Sequence, residues 1–219
     1  MKPCRVSWCT EPASGWGRHC DRHKAHDRRH GHPEQIAITK TMLAPYEKLV
    51  EGVKARNAAS PAWVQLGAIW AEVVAEAKAE VDQFRRGGAM NKVSVMASKE
   101  IVRIGEEAEP WEVVRAALAT AWMEADQPRL FRSDDAFRVQ LCRRVRALVE
   151  RNAGIWYDAS GKRRRHYKEL PRQVAVLIGH RLAVAFGPSG VALWRKEADK
   201  AEERKMRQAR LTEALEELK

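Results

Sequence analysis

The chain has 219 residues, with 40 Lys and Arg against 29 Asp and Glu, a formal net charge of +11 and a sequence pI near 9.8. Leu, Ile, Val and Phe number 44, the lower edge of what a packed core needs, and eight Trp with many Ala bring the chain to the folded side. No run approaches the ~18–20 apolar residues of a membrane helix, the opening MKPCRVSWC lacks the apolar stretch of a secretion signal, and four sparse Cys argue against a secreted disulfide scaffold.

A cytoplasmic protein without a membrane partner is therefore expected. The predicted fold class is mainly α: an N-terminal zinc module over residues 1–34, a helical domain over 35–190 with a basic patch at 138–172, and a charged C-terminal helix over 191–219.

Residues 1–34 hold three of the four Cys and five of the seven His, with almost no aliphatic side chains. Too few apolar groups are present to build a core, so another force must fold the segment. The spacing Cys4-x4-Cys9-x10-Cys20-x2-His23 supplies it. Zinc takes four soft or borderline donors in a tetrahedron, and two closely spaced ligand pairs provide them with little chain ordering. Cys4 and Cys9 fit a knuckle-like turn, and Cys20 and His23 face one way from the first turn of a helix that Gly31 and Pro33 end. His19 and His26 lie close enough to compete with His23 as the fourth ligand, and His26 with His30 and Asp27 offers a weak second metal cluster.

Cys-x4-Cys, a Gly-rich loop, then Cys-x-x-His on an arginine-rich helix resembles the small treble-clef-like zinc knuckles of phage and mobile-element proteins, some of which accompany HNH-type homing endonucleases. The resemblance covers about thirty residues. It implies structural zinc on Cys4, Cys9, Cys20 and His23 and a nucleic-acid setting. The paired His, Asn and second His of the nuclease do not follow the knuckle, so no catalytic residue is carried over.

Helical text begins near Thr41. A helix over 44–57 follows Pro45. Ser60-Pro61 opens a long one ending at Gly87-Gly88, with Trp63, Leu66, Trp70, Val73, Val74, Ala77, Val81 and Phe84 on one stripe. Residues 93–107 read as a helix starting near Ser98. Pro110 opens the next, and Ser133 with Asp134 and Asp135 caps another that Gly154 stops. Cys142, between Leu141 and Val145, reads as a core residue rather than a nucleophile. Residues 155–158 and 163–167 flank a turn and give a hairpin signal. Helix resumes at Pro171, breaks at Gly187-Pro188-Ser189-Gly190, and restarts as a tail of about 45 Å at 1.5 Å per residue.

Charge concentrates in one place. Residues 138–175 carry eleven Lys and Arg against three acids, the footprint expected for a phosphate backbone. Helix 109–125, helix 133–152, then a basic-tipped hairpin is the order of a winged helix-turn-helix. On that reading Arg138, Arg143, Arg144, Arg146 and Arg151 line the helix that meets DNA, and Lys162, Arg163, Arg164 and Arg165 form the wing. A basic loop contacting nucleic acid without that geometry is the other reading. Arg28 and Arg29 add charge from the zinc module. The expected function is non-catalytic nucleic-acid binding, DNA favoured over RNA. An assembly or adaptor role through the tail helix, as a homo-oligomer or with a protein partner, is the alternative, and a metal-assisted nuclease the weakest one. No phosphate-loop or dinucleotide fingerprint occurs.

Overall fold

The computed structural model describes residues 2–150, 152–167 and 169–217, with side chains described outside 152–156, 164–167, 214, 215 and 217. Its architecture is mainly α, with one two-stranded hairpin set among the helices. Helix α1 (Asp21–His30) is capped by Cys20 in extended backbone and ends at Gly31, whose left-handed φ of 85° turns its N–H to the Asp27 carbonyl at 2.8 Å. The predicted stop at Gly31 is where the helix ends.

Helix α2 (Lys40–Arg56) starts one turn before the expected position, because the Thr39 hydroxyl caps it by accepting from the Met42 N–H. Pro45 then lies inside the helix, and the carbonyl it leaves without a donor belongs to exposed Thr41, which water can reach. Helix α3 (Pro61–Arg85) begins on Pro61 as expected. Helix α4 (Lys92–Glu107) does not start at Ser98. Asn91 caps it through the Val93 N–H at 2.7 Å, and Ser98 is buried in mid-helix, bonded to the Ser94 carbonyl and to Glu80.

Helix α5 (Pro110–Asp126) is the central element, with Val113, Val114 and every residue from Ala116 to Met123 buried. It packs on α2, α3, α6 (Asp134–Arg146) and α7 (Arg172–Glu217). Helix α6 is capped by Ser133 as predicted but ends well before Gly154. Bonds from the N–H groups of Leu148 and Val149 to carbonyls three residues back tighten the chain into a turn. Asn152–Tyr157 is then taken up as strand β1, antiparallel to β2 (Arg163–Tyr167), with Tyr157 opposite Arg163 and Trp156 opposite Arg164.

The break expected at Gly187–Gly190 is absent: α7 runs unbroken for 46 residues, about 70 Å. Packing overrides the local breakers. A Cβ on Gly190 would lie 2.6 Å from the Ala121 Cβ and 2.9 Å from the Leu118 carbonyl, so the small residues let α7 lie directly on α5. Gly179 does the same against the α6 backbone at Arg138. Along α7, Val174, Ile178, Leu182 and Phe186 are buried. By length and composition this helix also contains a stretch apolar enough to cross a membrane, contrary to the expectation from sequence, and 39% of that stretch is buried in the bundle.

Candidate metal centre

The N-terminal segment folds around its ligands rather than around apolar side chains. The Ala13 N–H donates to the Lys2 carbonyl at 2.9 Å and the Cys4 N–H to that of Glu11 at 3.2 Å, with Pro3 and Pro12 paired antiparallel between them. The Cys9 N–H turns back onto the Val6 carbonyl at 2.9 Å and closes the knuckle. An Arg5 N–H bond to the Arg18 carbonyl, also 2.9 Å, draws in the second ligand pair. Cys20 at the N-cap of α1 and His23 in its first turn then face the knuckle.

The four donor atoms lie within 4.8 Å of one another. The His23 Nδ1 is 3.3 Å from the sulfurs of both Cys4 and Cys20, and the Cys9 and Cys20 sulfurs are 3.9 Å apart. Cys4, Cys20 and His23 are buried and Cys9 is partly exposed. The cluster can hold a metal ion in a closed four-ligand cage, and among the described residues it is the one such cluster. His23 is the histidine that enters it, not His19 or His26, and the His26 ring instead lies 4.5 Å from that of His30.

The thiols differ in acidity. Burial raises that of Cys4, but N–H donors from Cys20 and Val6, with His23, outweigh it and bring it down to about 6. The His23 backbone lowers that of Cys20, but burial, Glu11 and the other two sulfurs push it up to about 11. A divalent cation favours the ionised form of every thiol, so binding is coupled to proton release.

Trp8 supports the ligand set in a way the spacing alone does not reveal. Its ring meets the His23 imidazole edge-on at 5.1 Å, its indole N–H donates to Glu34 at 3.0 Å, and the Arg22 guanidinium lies 5.5 Å over it. The edge-on ring limits the rotation open to the His23 imidazole. The signal available in sequence is only that Trp8 adjoins Cys9.

The basic residues are less uniform than their clustering suggests. Arg146 is buried and paired with Glu100 at 2.5 Å, so it does not face a ligand. Arg138 pairs with Asp135 at 3.4 Å, and Arg172 with Asp135 at 2.9 Å and Asp27 at 3.7 Å. Arg143 and Arg144 are half-buried, the former donating to the Arg29 carbonyl at 3.0 Å. Helix α6 is covered by α5, α7 and the N-terminal module, with Ala136, Val139, Gln140, Leu141, Cys142 and Val145 buried. A groove-reading helix needs an open face along its length, which α6 lacks.

Arg28, Lys162 and Arg163 are exposed. Lys162 and Arg163 sit at a hairpin tip organised by Asp158, whose carboxylate accepts from the Ser160 and Lys162 N–H groups at 3.1 and 3.0 Å. Arg164 and Arg165 occupy β2 by their backbone, their side chains lying outside the described residues, as does Arg151. Arg29 pairs with Glu169 at 3.1 Å, which brings the arginine-rich α1 against the segment following the hairpin.

Sequence reasoning missed the two glutamines that join the module to the bundle. Gln140 and Gln35 are completely buried. Gln140 accepts from the Ile38 N–H at 3.0 Å and donates to the His30 carbonyl at 3.2 Å, while Gln35 accepts from the Arg132 N–H at 2.9 Å. No family model, curated protein or solved structure matches this chain.

Proposed function

We propose that the Cys4, Cys9, Cys20 and His23 cage holds a structural zinc ion and that the protein binds nucleic acid, DNA in preference to RNA, without catalysing a reaction on it. Tetrahedral zinc with bonds of about 2.3 Å to sulfur and about 2.0–2.1 Å to nitrogen separates sulfurs by about 3.8 Å and sulfur from nitrogen by about 3.6 Å. The 3.9 and 3.3 Å separations suit that ion. A closed cage leaves no coordination position for substrate, which favours a structural role. The phage or mobile-element setting is what the knuckle's resemblance implies.

One observation carries the nucleic-acid reading: the Arg29–Glu169 contact sets the arginine-rich α1 beside the segment that follows the basic hairpin. Arg28, Arg29, Lys162 and Arg163, with Arg164 and Arg165 on β2 and Arg143 and Arg144 behind, form the proposed surface. Exposed ion pairs such as Arg29–Glu169 are worth little, so phosphates compete for that arginine readily. Replacing Arg163, Arg164 and Arg165 by Glu is expected to weaken duplex binding irrespective of base sequence. Every phosphate that the change leaves unneutralised takes about 0.9 from the slope of log K against log salt. Fluorescence anisotropy across a salt series measures both; equal affinity and slope would refute the surface.

A second reading rests on the far end of α7, where residues 201–213 are all exposed and Met206 and Leu211 face solvent. On this reading the tail binds a second copy or a protein partner. Light scattering on the full chain and on a chain ending at Lys200, which keeps Leu193 and Trp194 against the core, tests it. Loss of an oligomer on truncation supports it, and a monomer in both refutes self-association.

A further inference from the structure

The N-terminal module contains two exposed tryptophans, 62% for Trp8 and 106% for Trp16, that differ in their partners. Trp8 is engaged by His23, Glu34 and Arg22. Trp16 is completely exposed, with a relative accessibility of 106%, so folding removes none of its surface from water and gains nothing from it.

The turn that carries Trp16 is nevertheless firmly built. The Gly17 N–H donates to the Ser14 carbonyl at 3.2 Å, and Gly15 supplies a left-handed φ of 55°. The Lys24 ammonium donates to the Ser14 carbonyl at 2.5 Å and to its hydroxyl at 2.6 Å, and that hydroxyl donates to Asp21 at 2.5 Å. Gly17 leaves room for the Lys24 stem, since a Cβ there would lie 2.5 Å from the Lys24 Cε. A clamped turn loses little backbone freedom on binding, so only the indole's own rotamers remain to be fixed.

Its surroundings are cationic. Arg18 is two residues away and exposed, and Arg5, also exposed, is joined to Arg18 by the backbone bond between them. Asp21, at the start of α1, accepts from the Ser14 hydroxyl, and Glu11 lies on the segment facing Cys4. An exposed π surface in a segment that also carries exposed arginines offers the chemistry that unpaired nucleobases use, where rings stack and cations meet the backbone. The bases of an intact duplex are stacked on one another and offer no free face.

From this we infer that Trp16 is a stacking platform for an unpaired base, so that the zinc module binds single-stranded nucleic acid. The inference rests on the nucleic-acid reading above and is separable from it. Full-length protein is titrated into fluorescein-labelled dT12 and, separately, a 20-base-pair duplex. Trp16→Ala is expected to weaken dT12 binding on the order of 10-fold, Trp16→Phe to retain most of it, and the duplex to be bound within 2-fold of the parent. Unchanged metal content in Trp16→Ala shows that the cage is intact.

Equal dT12 affinity in parent and Trp16→Ala overturns the inference and leaves the ring to a protein contact. So does failure of the parent to bind dT12. Duplex binding that persists in either case leaves the nucleic-acid reading standing, whereas loss of both ligands in the parent removes both.

Discussion

At the scale of single residues, the join between the metal module and the helical body depends on a side chain that composition would place at the surface. Gln140 is completely buried and serves the Ile38 N–H and the His30 carbonyl at once. Burying an amide costs free energy unless its hydrogen bonds are made, and removing it strands the groups it satisfied. Gln140→Ala is therefore expected to destabilise the protein by about 2–4 kcal/mol, read as a lower urea midpoint. A midpoint unchanged from the parent would mean that these bonds are not what seats the module. Position 140 lies on the core-facing side of α6 among Val139, Leu141 and Cys142, so helical periodicity alone announces a buried polar residue there but not its partners.

Among the elements, glycine decides more than its reputation as a breaker suggests. Gly190 and Gly179 sit inside α7 where α5 and the α6 backbone press against it. Alanine at either position gains helix propensity of about 1 kcal/mol but forces the helices apart, which costs about 1–3 kcal/mol or more. Gly67, within α3, has nothing within 4 Å of where its Cβ would be. Thermal unfolding is expected to move in opposite directions: Gly190→Ala lowers Tm, whereas Gly67→Ala raises it by the equivalent of about 0.5–1 kcal/mol. Shifts of the same sign would contradict the close crossing. The expected break at 187–190 failed for this reason, since local sequence shows Gly and Pro without showing the helix laid against them. Starts with a hydroxyl or proline at the right offset, as at Pro61, Pro110 and Ser133, were legible because capping is local. Asn91 was missed in favour of Ser98, a residue whose hydroxyl serves Glu80 within the core.

For the whole molecule, the seam between module and bundle is sensitive to acid. Burial holds the His30 imidazole down to about 4, aided by Arg143 from α6 and by His26 and Arg29 on its own helix. A histidine with an unfolded value near 6.5 and a depressed folded value binds its proton more readily when the structure opens. Its contribution is complete above about pH 6.5 and is lost as pH falls toward 4. His30→Gln is expected to lose less Tm than the parent between pH 7 and 5, and parallel profiles would contradict this. The clustering of Cys4, Cys9, Cys20 and His23 was legible because their spacing brings four donors together, whereas the exposure of the basic residues was legible only in part. Charge clustering cannot distinguish Arg28, which is exposed, from Arg146, which lies buried against Glu100. The central claim, that three thiolates and one imidazole organise the amino terminus around a single zinc ion, is tested most directly by zinc X-ray absorption on the purified protein with metal quantified. One zinc per chain in a shell of three sulfurs at about 2.3 Å and one nitrogen at about 2.0–2.1 Å is the expected result, abolished by Cys20→Ser. A protein folded over residues 2–30 without stoichiometric zinc, or with zinc ligated by oxygen and nitrogen alone, would contradict it.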